Sequence, residues 1–223
     1  MNILIVYAHH EPSSFTTAMK NVALQTLEAA NHSVVVSDLY AQGFSAVAQK
    51  WDFVTISGGH FNYMTEQKHA ANLEMSFSPD ILGEIQKVKA ADLVLFFTPL
   101  WWMSVPAILK GWFDRVLAMG VAWDNENIYE NGLLRGKQAM LFAAAGQPES
   151  YFQQQGRHRA TANQLLYPIN HTTLAFCGFN VHEPLVALNV VGTSAEDREK
   201  ILKDVQFRVQ NIISSPQWLV FYS

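Results

Sequence analysis

The sequence predicts an α/β fold: a five-stranded parallel sheet, doubly wound, with helices on both faces. Three observations carry that prediction. Short apolar runs at residues 2–8, 92–98 and 137–144 are continuous rather than alternating, as expected of strands buried on both faces. Longer stretches with helical periodicity separate them. Strand and helix signals also alternate along the chain, the pattern of parallel α/β sheets. Right-handed crossovers among five strands favour the order 2-1-3-4-5, with a switch point between strands 1 and 3.

The elements follow in order. Residues 2–8 form the first strand. Ser13 or Ser14 caps a helix running to about Ala30, with Phe15, Met19, Val22, Ala23 and Leu27 on one side. Residues 33–37 are a short β-branched strand. Residues 40–78 lack periodicity and are expected to be a long functional excursion. Ser78-Pro79-Asp80 opens a helix to about Ala91. Asp92–Thr98 is the third strand, and Ser104 is expected to cap a helix to about Met119. Lys137–Ala144 is the fourth strand. Residues 160–176 read as one helix and Phe179–Val181 as the fifth strand. Ser194 caps the last helix, which runs to about Ile213, with Glu196 and Asp197 in its first turn.

Composition bounds the function. The chain has 223 residues, 49% hydrophobic and 15% charged, which suits one packed domain over residues 1–223. A net charge of -4 argues against nucleic-acid or anionic-membrane partners, both of which need a concentrated basic face. The lone Cys177 allows no internal disulfide, and the first residues lack a basic segment before their short apolar run, so a cytoplasmic protein is expected, not embedded in a membrane. The sequon at Asn170-His171-Thr172 is then a chance match. The eight histidines are scattered, with no metal-binding spacing, so no metal is expected. G-x-G-x-x-G and G-x-S-x-G are absent. Gly132-Leu133-Leu134-Arg135-Gly136-Lys137 is too short for a P-loop and precedes a strand.

Two loops converge at the switch point. His9 to Thr17 enters a helix N-terminus rich in hydroxyls, which suits a diphosphate but equally suits ordinary capping. Pro99-Leu100-Trp101-Trp102-Met103 offers a flat apolar wall for a planar ring system. One of its tryptophans is expected in the core, because neighbours in an extended loop point opposite ways. Tyr151 and His158, beside Arg157 and Arg159, are the catalytic candidates after strand 4.

Taken together, the segments IVYAHHEPSSF, VSDLY, ADLVLFFTPLWWMSVPAILKGWFDRVL, GLLRGK and LLYPINHTTLAFCGF resemble the NAD(P)H:quinone oxidoreductase family, the DT-diaphorase-like flavoproteins of flavodoxin-like fold. The resemblance runs from residue 2 to about residue 200. It implies bound FAD rather than FMN, NAD(P)H as co-substrate, a homodimer with the active site at the interface, and two-electron ping-pong reduction of a quinone-like acceptor. The same resemblance implies that His9, Ser14, Phe15, Thr16 and Ala18 hold the FAD phosphates and ribityl chain. Pro99, Leu100, Trp101, Trp102 and Met103 would line the isoalloxazine, and Asn62, Asp114 and Arg198 the adenosine end. Trp102, Met103, Trp123, Asn125 and Phe176 would bound the substrate. His158, with Tyr151, would stabilise charge on the reduced flavin. The chain departs from the family where Thr-Thr-Gly-Gly becomes Ala144-Ala145-Gly146-Gln147 and where the family tyrosine becomes Phe152, next to Tyr151. Ala145, Gly146 and Gln147 would then meet the flavin through backbone N–H groups, with Gln147 reaching the substrate. The apolar tail from Pro216 to Ser223 is expected to pack on the partner subunit. Two alternatives stand beside this reading: a flavin-bearing regulatory subunit of a membrane transport system, and an azo or nitro reductase.

Overall fold

The computed structural model describes residues 1–214, so the expectation for the Pro216–Ser223 tail lies outside the described residues. Parallel strands β1 (Asn2–Tyr7), β2 (Ser33–Asp38), β3 (Leu93–Pro99) and β4 (Gln138–Ala144) run in the order β2-β1-β3-β4. The fifth position, beyond β4, is shared. β5 (Asn180–Val181) pairs with Gln138 and Ala139, and β6 (Leu185–Ala187) pairs with Phe142 to Ala144. Pro184 lies in the break between them and cannot donate to a ladder, which confines this interrupted strand to the sheet edge. The sequence signal stopped at Val181 because the break hides the continuation.

The pleat of β1 divides the core. Ile3, Ile5 and Tyr7 face α1 (Phe15–Ala29) and α6 (Ala195–Ser214), joined by Met19, Leu27, Val205 and Val209. Leu4, Val6 and Ala8 face the other layer, with α2 (Tyr63–Asn72), α3 (Pro79–Ala90), α4 (Ala107–Val116) and α5 (Ala162–Ile169). The two layers make the doubly wound architecture that the sequence predicts.

Three expectations change. The 40–78 excursion contains α2, a helix with weak apolar periodicity that Asn62 caps by accepting a hydrogen bond from Thr65 N–H. Ser104 does not cap α4, which starts at Ala107 after Pro106. Residues 160–176 are not one helix. α5 ends at Ile169 and continues as a π turn over Asn170–Leu174 and a 3-10 turn over Ala175–Cys177. Pro168 causes the change by removing a backbone donor inside the helix.

A buried ionic knot holds the excursion. Arg115 of α4 is 3% exposed and pairs with the fully enclosed Asp52 at 2.8 Å and with Asp80 at 2.9 Å. Its Nη1 donates to Ser45 O, and Tyr63 OH donates to Asp52 at 2.6 Å. Burial, followed by the Asp52 carboxylate, raises the Tyr63 pKa well above its ordinary value, so the phenol stays a donor. The excursion crosses α4 at Gly111, where a Cβ would stand 2.1 Å from Ala46 O, so only glycine fits.

Candidate functional site

Sheets of this kind place ligands beyond the carboxyl ends of their strands, at the switch point. Here the loops after β1, β3 and β4 meet that edge.

The loop after β1 is braced from within. Ser13 N–H and Oγ donate to the Glu11 carboxylate at 2.8 and 2.7 Å. Ser14 caps α1 by accepting from Thr17 N–H, and Thr17 Oγ1 lies 2.6 Å from Tyr7 OH. Thr16 is buried, Phe15 and Ala18 half-buried. The N–H groups of Phe15 and Thr16 carry no hydrogen bond, leaving two donors at the positive end of the helix. The Glu11 N–H donates to His9 Nδ1 at 3.0 Å, so His9 carries its proton on Nε2. Burial, and next the neighbouring His10, hold the His9 imidazole below its ordinary pKa, which keeps it neutral at pH 7.

The loop after β3 is a tight hairpin turn rather than an extended segment. Trp101 N–H donates to Ser104 O at 2.9 Å, and Ser104 N–H returns the bond at 3.0 Å. Trp102 and Met103, at its two central positions, have φ of 50° and 58°. Such a turn favours Asn or Gly. A tryptophan and a methionine held there cost on the order of 1–3 kcal/mol each. Neither tryptophan enters the core: Trp101 is 40% exposed and Trp102 98% exposed. The turn geometry overrides the alternation expected of an extended loop. Trp101 instead meets His9 edge-on at 6.1 Å and His10 at a tilt at 6.0 Å, and His10 meets Tyr40 at 5.6 Å. Leu100 is buried, its N–H bonded to Ala144 O.

The loop after β4 is tied to its neighbour. Ala145 N–H donates to Ala187 O, Val190 N–H to Ala145 O and Asn189 N–H to Gln147 O. Gly146 and Gln147 N–H groups carry no hydrogen bond. The loop then turns at Gly156, where a Cβ would press on Ser150 O at 2.4 Å, and brings His158 against Phe152 at 4.8 Å and Tyr151 at 5.6 Å. His158 Nε2 is enclosed and has no hydrogen-bond partner. The Arg157 guanidinium lies 4.9 Å over the Tyr151 ring.

A groove of about 420 Å³ opens elsewhere on the α2–α4 layer, lined by Tyr63, Gln67, Lys110, Asp114, Trp123 and Phe176 among others. Asp114 pairs with Lys110, and Trp123 meets Phe176 at 5.4 Å. Asn62 stands at the start of α2, its side chain committed to the cap, and Asn125 is exposed. Arg198 lies apart from Asn62 and Asp114. It belongs to α6, on the other layer, and donates to Val190 O at 2.9 Å. Sequence reading missed His10 and Tyr40 in the aromatic cluster around Trp101. His10 is visible beside His9, but nothing local signals Tyr40. Among the described residues no cluster of His, Cys, Asp or Glu could hold a metal, and no helix is long and apolar enough to cross a membrane.

The comparisons with known proteins agree with this geometry. The family model described as a flavodoxin-like fold matches residues 1–212. The human ribosyldihydronicotinamide dehydrogenase [quinone] is 42% identical over 212 residues, covering 94% of this chain and 91% of that protein. The guinea-pig (Cavia porcellus) NAD(P)H dehydrogenase [quinone] 1 is 40% identical over 214 residues, covering 94% and 76%. A crystal structure of a candidate quinone reductase from Klebsiella pneumoniae superposes with a TM-score of 0.88 at 35% identity, covering 95% of this chain and 85% of the other. With its parallel order β2-β1-β3-β4 and its open site at the switch point, the chain belongs to the NAD(P)H:quinone oxidoreductase family of flavodoxin-like proteins.

Proposed function

We propose that this chain is an FAD-dependent enzyme that reduces quinones, or related azo and nitro acceptors, with electrons from NAD(P)H. One observation carries the reading. Unbonded N–H groups on two loops, at Phe15 and Thr16 and at Gly146 and Gln147, border the same sheet edge as an exposed, strained Trp102–Met103 turn. Unpaired donors and uncovered aromatic surface together suit a large, flat, anionic group.

The residues present fit a flavin. The α1 N-terminus, with Ser14, Phe15, Thr16 and Ala18 and the His9 Nε2–H, would hold a diphosphate. Pro99 to Met103 would hold the ring. Gly146 and Gln147 offer backbone N–H groups where ring carbonyls need donors, whereas the Ala145 N–H expected to join them is already committed to Ala187 O. When bound, a flavin takes a hydride equivalent from a reduced nicotinamide and passes two electrons to an acceptor. The chain's own work is to position and to stabilise charge. His158 Nε2, enclosed and unpaired, is free to meet negative charge that develops in a site with little water. Phe152 and Tyr151 hold its ring in place, so Tyr151 acts chiefly through His158. Trp102 and Met103 present the face on which donor and acceptor take turns, which gives ping-pong kinetics.

A homodimer completes the site. Within one chain Arg198 lies on one layer and Asn62 and Asp114 on the other, so a single subunit cannot gather all three around one adenosine. A second copy would bring them together, and would supply Trp123, Asn125 and Phe176 to the substrate side. This adenosine seat favours FAD over FMN.

A second reading concerns the donor. The relatives matched over 91% of their length are named for ribosyldihydronicotinamide, so a dihydronicotinamide riboside is a rival to NAD(P)H. Steady-state rates with menadione and each of NADH, NADPH and the reduced riboside test both readings. Parallel double-reciprocal lines with at least one donor are expected, and the fastest donor is the one the site takes. No turnover with any of the three would overturn the proposal and leave a regulatory flavin subunit as the better reading.

A further inference from the structure

The two edges of the sheet are guarded unequally. At one edge Pro184 breaks the outer strand into β5 and β6, and a proline cannot donate to an incoming chain. At the other edge β2 pairs with β1 without interruption from Ser33 to Asp38. It carries no Pro, Gly, Lys or Arg, and its one charged residue is Asp38 at the end. Val35 is 47% exposed and Val36 36%. A regular, apolar edge without such guards is a template for another strand.

The hydrogen bonds show which groups are open. Ser33 N–H donates to Met1 O and Leu39 N–H to Tyr7 O, so the odd-numbered residues of β2 turn their backbone groups toward β1. The even-numbered residues turn theirs outward. Of these, His32 N–H donates to Leu27 O, and Asp38 O accepts from Gln42 N–H. Between residues 32 and 38, Val34 and Val36 alone present both an open N–H and an open C=O on the outer edge.

We propose that this edge pairs antiparallel with β2 of a second copy of the chain, about a two-fold axis at Val35. Ser33-Val34-Val35-Val36-Ser37 reads the same in both directions. Centred on Val35, Val34 opposes the partner's Val36 and Val36 opposes the partner's Val34, so every open N–H meets an open C=O. A shift by one residue sets outward groups against inward ones. A shift by two sets a valine against the partner's His32 or the partner's Asp38, whose groups are already in use. In the matched register Val35 faces the partner's Val35, His32 opposes the partner's Asp38, and no like charges meet. Each copy offers the same patch, so the contact is self-complementary, and a strand of another sequence lacks that match.

Two measurements on the full chain test the pairing, and neither rests on the flavin reading. In sedimentation equilibrium the average mass should rise at least twofold above its dilute value as concentration increases. Val35→Lys, which sets two ammonium groups face to face at the axis, should abolish that rise. Val35 lies outside the redox mouth, so retained quinone reduction reports that the variant is folded. A cysteine series adds no charge and reads the register. Opposed residues that are not hydrogen-bonded stand about 4.5 Å apart between Cα atoms, within the range a disulfide spans. Val35→Cys with oxidised glutathione should therefore give a disulfide-linked pair, and Val34→Cys, which faces a valine, should link at least ~10-fold more slowly. Cys177 is buried and does not compete. A mass that does not rise, a rise that survives Val35→Lys, or equal linking at positions 34 and 35 overturns the proposal.

Discussion

Trp112 and Trp102 stand close together in the chain and at opposite extremes of the molecule. Trp112, on α4, is fully buried, donates Nε1 to the buried Glu84 at 2.8 Å and packs edge-on against Phe96. Trp102 is 98% exposed on a backbone with φ of 50° and contacts nothing that stabilises it. The first region resolves every polar group it buries, including Arg115, Asp52 and Tyr63. The second keeps N–H groups unbonded, a turn strained and an aromatic uncovered. A large hydrophobic side chain that costs stability and buries nothing in the monomer is best explained by what binds there.

Substitutions separate the two regions, the largest effects falling in the buried one. Asp52→Ala leaves the Arg115 charge enclosed and short of its main partner, and should lower stability by ~3–5 kcal/mol in chemical denaturation. Trp112→Ala should cost about as much, through the cavity it opens. At the mouth the pattern inverts. His158→Ala should slow flavin reduction by ~100-fold in rapid mixing while the denaturation midpoint and the flavin content are unchanged. Equal loss of stability and rate would make His158 a packing residue. Trp102→Gly should change stability by under ~1 kcal/mol, because relief of the positive φ offsets the freedom glycine adds to the unfolded chain, yet it should raise KM for the acceptor.

The smallest effect is a pH dependence. Burial lowers the pKa of both His9 and His182 below the ordinary 6.5. The folded state therefore binds fewer protons than the unfolded chain in that range. Stability is fully present above about 6.5 and declines as pH falls through the lowered values. Denaturation midpoints at pH 7 and pH 5 check the sign, and His182→Gln should flatten part of the slope.

Much of this was legible in the sequence. Continuous apolar runs marked β1, β3 and β4 within about a residue, because burial on both faces leaves no alternation to confuse them. The Ser13-Ser14 pair, of which Ser14 is the cap, and Ser194 announced their helices by side-chain chemistry alone. What depended on distant partners was not visible. α2 is held by Asn62 and by contacts to α4, with little periodicity of its own. β6 hides behind Pro184, and the π turn follows from one proline inside a helical pattern. At the site, the wall at Pro99–Met103 was readable from its residues. Its turn was not, because Trp102-Met103 is a pair that no local rule assigns to positive φ. The Tyr40–His10–Trp101 cluster needs the fold to exist at all.

The central claim is that the open edge beyond β1, β3 and β4 seats a flavin that cycles between a nicotinamide and a quinone. Anaerobic rapid mixing of the purified holoprotein tests it most directly. Flavin absorbance should bleach on adding reduced nicotinamide and return on adding quinone, at rates that account for steady-state turnover. A protein that binds no flavin, or whose bleached flavin is restored by oxygen but not by quinone, would contradict the account.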